Sequence, residues 1–432
     1  MGIQNKPRLA VVGSGIAGLS AAWLLRDRFH VSLFEKAPRL GIGQKGVDIQ
    51  TPAGHLRIDV PIRVFSNRYY PNLYKLCRKL NVSLRHVNNE SSFSNHLGET
   101  YFRYFNWQLG SSTVSYIKPR LRQLGWTVTF LKDYARFLWD LRQGAFQERY
   151  GSWTLGEYFR RQGYQAAFTD QFFIPLFAAI ATCDHSQMKA YPAHTILELF
   201  ASFGSQEPMR RWIGGTTELE EALARSVDEL CCGTEVRSLH RDAQGVTLIT
   251  ADGKSRVFDR VVVALQANQA ARILSDGFAT ERQLLECIPY VQTSMSVHQD
   301  ERLMPRLTKD WASVNYLIRQ SDDLPVATLW INRSEPDFAG VAANYFQSLN
   351  PPELVKGEIC RTTFERPIVT HRSLKAVEAL SALQQVDSNR QIYFCGAYLA
   401  RKLPLLENGV VSALQVAQSL GAKMPVGLVA VA

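Results

Sequence analysis

The chain has 432 residues, more than one small core needs, and its 46% hydrophobic and 20% charged residues are those of a folded globular protein and exclude a disordered one. Forty-nine Lys and Arg against 39 Asp and Glu leave +10, which suits an anionic cofactor, a carboxylate or carrier-bound substrate, or an anionic membrane surface; nucleic acid is not expected, because the basic residues are scattered and carry no nucleic-acid motif. Seven cysteines without a C-x-x-C pair or grouped histidines exclude a metal site and a disulfide frame, and no apolar run approaches the roughly 20 residues of a membrane span.

In chain order, residues 8–13 and 30–35 read as short buried strands around a helix from Ile16 to Arg28, a βαβ start. The strand opens within about eight residues of the N-terminus, so the expectation is a chain without a leader, cytoplasmic and at most touching a membrane. Residues 71–205 read as helical and aromatic. Within them Phe130, Tyr134, Phe137, Leu138 and Leu141 form an apolar stripe flanked by Lys118, Arg120, Arg122, Lys132, Arg136 and Arg142. A core helix with a solvated basic face is the preferred reading; a basic amphipathic helix lying on a membrane is the other. Residues 245–265 return to strand, with Asp252-Gly253 as a hairpin turn and Val261–Leu265 as a buried strand. Mixed strand and helix fills 290–380. The end is a strand, "QIYFCGAYL", a loop, and a helix beginning near Asn408 and Gly409 and closing near Gly421.

Between the first strand and helix, Gly13, Gly15 and Gly18 form G-x-G-x-x-G, and Glu35 ends the second strand 22 residues after Gly13. The first glycine permits the tight turn, the second lets a pyrophosphate reach backbone N–H groups, and the third lets helix pack on strand. Glu35 is then the acceptor for ribose hydroxyls. The turn residues Ser14, Ile16 and Ala17 complete this dinucleotide cradle.

At the end of the second strand "EKAPRLG" gives Glu-x-x-x-Arg-x-Gly over Glu35, Arg39 and Gly41, with Lys36 beside the acid. This block resembles the FAD-dependent amine-oxidase superfamily, the flavin-containing amine oxidoreductases. "IGGTTELEEAL" (213–223), "TEVRSL" (234–239, with Val236) and "YFCGAYL…ENGVVSALQVA" are similar to that superfamily's later blocks, in order. "YYPNLYKL", "TLGEYFRRQGYQAAFTDQFFIPLFAAI" and "WASVNYL" are similar to a branch described as predicted NAD/FAD-binding oxidoreductases. The resemblance implies an α/β Rossmann-type FAD-binding domain (1–85, 206–285 and 385–425) interleaved with a mixed α+β substrate domain (86–205 and 286–384). It implies non-covalent FAD, with Val236 on the adenine side, Gly396 and Ala397 at the ribityl chain, and Asn408, Gly409 and Val410 at a helix start facing the pyrimidine ring. Two positions depart from the pattern: Ile42 replaces a glycine, with Gly43 as the expected substitute, and Pro61 replaces another.

No second G-x-G-x-x-G marks a nicotinamide domain, and the strand "YVQTSMSVHQ" lacks the lysine that amine oxidases hold near the flavin. The expected reaction is hydride transfer to flavin N5 from an apolar, unsaturated acyl, polyketide or terpenoid substrate, as oxidation, desaturation or redox-neutral double-bond isomerisation. The alternatives are an amine or amino-acid oxidase and a non-catalytic flavin-binding accessory protein. Tyr290, His298, Tyr398 and Lys402 are the candidates for acid or base.

Overall fold

Leu9–Val12 and Val261–Val263 are apolar without alternation, and such strands are stable only where both faces are covered. In the computed structural model, which describes every residue except 1–5, 43–44, 52–53, 110–111, 118–122, 203–207, 319–323, 339, 387–388, 400–401 and 431–432, they lie inside a parallel sheet. Its five strands run in the order Glu229–Cys232, His30–Glu35, Arg8–Val12, Arg260–Val263, Ile392–Phe394, with Val11 opposite Leu33 on one side and Val262 on the other. Helix α1 (Ile16–Leu25) and the last helix (Leu406–Ser419) cover one face, over a core that includes Val11, Leu19, Leu33, Val262 and Leu414. The other face, Ala10, Val12, Phe34, Val261 and Val263, packs in a core with residues of a three-stranded antiparallel sheet, Val236–Asp242, Gly245–Thr250 and Ser255–Phe258. The turn between its last two strands contains Asp252-Gly253, as the sequence predicts.

An eight-stranded mixed sheet forms the second layer, in the order Cys360–Pro367, Tyr290–His298, Phe346–Leu349, Val326–Trp330, Val314–Ile318, Ser91–Asn95, Thr100–Leu109, Ser112–Ile117. This corrects the reading of 71–205 as helical. After helix α2 (Pro71–Lys79) come the strand Leu84–His86 and the last three strands of that sheet. The signal was hidden because Ser91, Ser92 and Ser94 are buried polar residues, with Ser92 Oγ donating to Asn315 at 2.7 Å, so no apolar-polar alternation marks a strand. Helix α3 (Leu124–Arg142) does pack as a core helix through Phe130 and Phe137, against Phe102, Phe168 and Phe172, while Tyr134 and Leu141 are half-buried. Leu138 is the exception to the expected stripe: it points to the outer face.

A buried charge knot ties distant segments together. Arg211, on strand Arg210–Trp212, is 1% exposed; it pairs with Glu335 and lies 3.7 Å from Asp59, next in the chain after the hairpin strand Gly54–Ile58. Arg85 bonds Glu335 at 2.9 Å and Asp337 at 2.7 Å. Burial pushes the Glu335 carboxyl up to about 7, against the pull of Arg211 and Arg85. Removing the central cation leaves two buried carboxylates short of a partner. Arg211→Met should therefore lower the unfolding free energy in urea by about 3–5 kcal/mol; a loss under about 1 kcal/mol would show that the knot does not hold these segments.

Candidate functional site

Helix α1 starts directly on the tip of strand Arg8–Val12, and two glycines make that possible. Gly13 has φ +102°, and a Cβ there would lie 2.8 Å from the Ala264 carbonyl oxygen. A Cβ on Gly18 would lie 1.9 Å from the Gly13 oxygen, so helix and turn could not meet. Gly15 differs. Its φ of −64° and ψ of 177° suit any residue, and a Cβ there would find nothing within 4 Å. Neither backbone nor packing requires glycine at that point, while a ligand lying against the backbone does.

Glu35 is buried beneath this turn. Its Oε2 accepts from Ser14 N at 3.0 Å and Ser14 Oγ at 2.6 Å, and its Oε1 from Ala37 N at 2.9 Å. A carboxylate has about four acceptor sites, so one is left for a ligand hydroxyl, where the sequence reading had Glu35 serve several. The Gly41 amide donates back to the Ser14 oxygen at 3.3 Å, closing the loop onto the turn.

Above the turn lies a cleft of about 780 Å³. Gly13, Ser14, Gly15, Glu35, Lys36 and Gly41 line it together with Val236, Arg237 and Thr363–Arg366 of the edge strand Cys360–Pro367. Five cations (Lys36, Lys45, Arg237, Arg272, Arg366) and three carboxylates (Glu35, Glu235, Glu365) line it. A cleft with surplus positive charge, an open glycine at a helix N-terminus and a ribose-ready acid fits FAD. Ile16, Ala17 and Gly18 support the cleft from inside α1, where they are buried. Arg39 is exposed and does not line it.

The last helix begins at Leu406, two residues before the expected start. Gly409 is the contact point with α1, since a Cβ there would meet Ile16 Cγ2 at 2.8 Å, and Val410 is buried beside it. Gly396 N donates to Ser412 Oγ at 2.9 Å, fixing the Gly396-Ala397 turn on the same helix. Asn408 turns its side chain to the Leu403 carbonyl. Glu407, unforeseen from the sequence, places its buried carboxylate on the N-terminus of α2, accepting from Asn72 N, Asn72 Nδ2 and Leu73 N at 2.8–2.9 Å. Burial raises its pKa above the usual carboxylate value.

The four acid or base candidates are not assembled at the cleft. Tyr290 Oη accepts from the Ala267 amide at 2.7 Å, and burial raises its pKa. Tyr398 is enclosed in the core on the far face of the parallel sheet. Lys402 acts on Glu198 in the helical part, whose carboxyl burial raises above the usual carboxylate value despite the pull of that cation. His298 is fully buried: its Nδ1 accepts from Asp300 N at 3.0 Å, so Nε2 carries the proton and donates to Ser348 Oγ at 2.8 Å. Burial lowers it to about 4. It is a satisfied structural histidine.

Sequence reasoning missed Lys45 and Arg366. Lys45 donates to the Thr363 carbonyl and lies over the Phe364 ring, and Arg366 stacks on the same ring at 5.4 Å. Burial and the neighbouring Arg63 lower Arg366 to about 10. These residues meet across more than 300 positions of sequence, and no local pattern announces such a pair. Ile42 is 5% exposed and joins the core beneath α1, the outcome expected if the loop bulges; Gly43 lies outside the described residues. Pro61 comes after a cis peptide bond and precedes buried Ile62. Cys395, next to Gly396, is shut inside the core and does not line the cleft, in keeping with FAD held without a covalent bond.

Comparison with known proteins places these features. A family model described as flavin-containing amine oxidoreductase matches residues 16–298. A probable zeta-carotene desaturase of Synechococcus elongatus is 23% identical over 336 residues, 74% of this chain and 65% of that protein. A zeta-carotene desaturase of Synechocystis sp. is 26% identical over 337 residues, 74% of this chain and 64% of that one. The matched region thus spans just under two thirds of these relatives' length. The crystal structure of a putative protoporphyrinogen oxidase from Exiguobacterium superposes with a TM-score of 0.65 at 16% identity, over 97% of this chain and 99% of that one.

The placements of His298 and Ile42 each have a measurable consequence. The folded-state pKa of His298, about 4, lies below the unfolded value of 6.5, so its contribution to stability is complete above about pH 6.5 and is lost as pH falls through about 4. Relative to His298→Gln, the wild type should lose roughly 3 kcal/mol more between those pH values, read from urea midpoints; parallel pH profiles would refute the assignment. Ile42→Gly should cost about 2–5 kcal/mol of stability and change FAD affinity by less than about tenfold. A hundredfold gain in affinity would mean that Ile42 obstructs the cofactor.

Proposed function

The chain belongs to the flavin-containing amine oxidoreductase family, and from that premise we propose that it is an FAD-dependent oxidoreductase that dehydrogenates an apolar, unsaturated substrate, with a polyene of the terpenoid class first among acyl and polyketide alternatives. The observation that carries this reading is the cleft itself, which residues of the dinucleotide turn and of the edge strand of the eight-stranded sheet line together. Gly13–Gly15 and Glu35 would hold the adenosine and pyrophosphate, with the surplus cations offsetting the phosphate charge. Residues 1–85, 206–285 and 385–425 would make up the FAD-binding portion, and residues 86–205 and 286–384 the portion that receives substrate. When bound, FAD supplies the acceptor for two electrons.

Desaturation breaks two C–H bonds on adjacent carbons and forms a C=C bond; two electrons and two protons leave the substrate, as a hydride and a proton, and an external electron acceptor must then reoxidise the cofactor. The protein's part is to orient the chain and exclude water. Two features support this over amine oxidation. The strand Tyr290–His298 bears no lysine, and its Tyr290 and His298 are committed to structural hydrogen bonds. The relatives named zeta-carotene desaturase point to the same substrate class.

The purified protein should be yellow and should release its colour into the supernatant on acid precipitation. Anaerobic titration should then bleach the flavin with a polyene and yield a product with one more conjugated double bond. Bleaching by a primary amine with release of ammonia would replace this reading with amine oxidation, and a shifted double bond without net oxidation would replace it with isomerisation. A colourless, folded protein that does not take up added FAD would reject all three.

A further inference from the structure

Helix α3 (Leu124–Arg142) has two apolar faces, and the fold uses only one. At 100° per residue, Leu124, Val128, Leu131, Ala135, Leu138 and Trp139 fall along one side. Five of these are large hydrophobic residues, and they are 55, 61, 43, 37 and 64% exposed for Leu124, Val128, Leu131, Leu138 and Trp139. Among the described residues, sixteen large hydrophobic side chains are this open, so one helix of 19 residues carries nearly a third of them, in a row. Scattered exposed leucines need no explanation, whereas a continuous row marks an interaction surface.

The charge on the helix is sorted in the same way. Its two acids, Asp133 and Asp140, are both buried: Asp133 accepts from Gln165 N at 2.7 Å, and Asp140 accepts from Tyr150 and Tyr158 and pairs with Arg149. The cations stay outside. Arg136 is held against Asp133 and over the Tyr164 ring, while Lys132 is exposed beside the apolar row and Arg142 is exposed at its C-terminal end. The outward side of α3 therefore presents an apolar strip with a tryptophan near one end and, of the helix's own charged residues, cations but no acid.

We propose that this face of α3 seats the protein on an anionic lipid surface, with Leu124, Val128, Leu131, Leu138 and Trp139 entering the headgroup-acyl boundary and Lys132 and Arg142 meeting lipid phosphates. Charge complementarity selects this occupant: a helix whose apolar strip is accompanied on the helix only by outward cations matches an anionic bilayer, and a helix lying in the interface plane is the form such a strip takes. No helix among the described residues is long and apolar enough to cross a membrane, so the attachment is peripheral. The inference stands on α3 alone and does not depend on the reaction catalysed.

The test uses the full-length protein with FAD and two kinds of vesicle, phosphatidylcholine alone and phosphatidylcholine with phosphatidylglycerol. The wild type should bind the anionic vesicles at least tenfold more tightly, with the preference weakened by salt. Leu131→Gln with Trp139→Gln should lower vesicle binding at least tenfold with an unchanged melting temperature. Lys132→Gln with Arg142→Gln should remove most of the preference for anionic lipid. Bromine-labelled acyl chains should quench tryptophan fluorescence in the wild type and markedly less in Trp139→Phe. Wild-type protein that binds neither vesicle, or apolar double variants that bind as before, would overturn the proposal. So would a wild-type dimer that the apolar variants convert to monomer while lipid binding is unchanged, which would identify the face as a protein interface.

Discussion

The molecule depends on a side chain that is missing. A Cβ at position 18 would overlap the carbonyl of Gly13, and with glycine there α1 can start at the tip of its strand. That contact sets the position of the turn on which this end of the cleft is built. The N-terminus of α1 comes to rest against Gly409 of the last helix, Glu35 reaches up to Ser14, and the Gly41 loop folds back onto the Ser14 carbonyl. Unpaired N–H groups and the positive end of the helix dipole are thereby gathered at a single open point beside Gly15.

Much of this was legible in the sequence because it is local. The strand-turn-helix-strand of residues 8–35 rests on glycine spacing and unbroken apolar runs, and the turn at Asp252-Gly253 on a two-residue signal. The strands between 84 and 117 were not legible. Their residues are buried by neighbours far away in sequence, so buried serines and half-buried aromatics replace the alternation that marks a strand with one wet face. The last helix was placed two residues late because its first turn is set by Glu407 reaching to α2, a tertiary contact.

The site shows the same division. Gly13, Gly15, Gly18 and Glu35 could be named from their spacing, whereas Lys45 and Arg366 meet only because the edge strand Cys360–Pro367 folds over the loop after Gly41. His298 looked chemically active from its residue type alone. Its environment holds it neutral, since both ring nitrogens are hydrogen-bonded and burial disfavours the charged form. Residue type proposes a role, and solvation and partners decide it. The charge knot of Arg211, Asp59, Glu335 and Arg85 joins the paired strands Leu84–His86 and Arg210–Trp212 to the residue after the hairpin strand Gly54–Ile58 and to the residue after the short helix Ile331–Ser334.

The central claim is that the turn at Gly13–Gly18 is built to receive a dinucleotide. Gly15 tests it most directly, because its backbone suits any residue and its missing Cβ leaves room that no protein atom fills. Equilibrium titration of the FAD-free protein with FAD, for the wild type and Gly15→Ala, should show an affinity lowered by about tenfold or more, equivalent to roughly 1.4 kcal/mol, with the melting temperature of the FAD-free protein unchanged. Equal affinities for the two proteins would contradict the account.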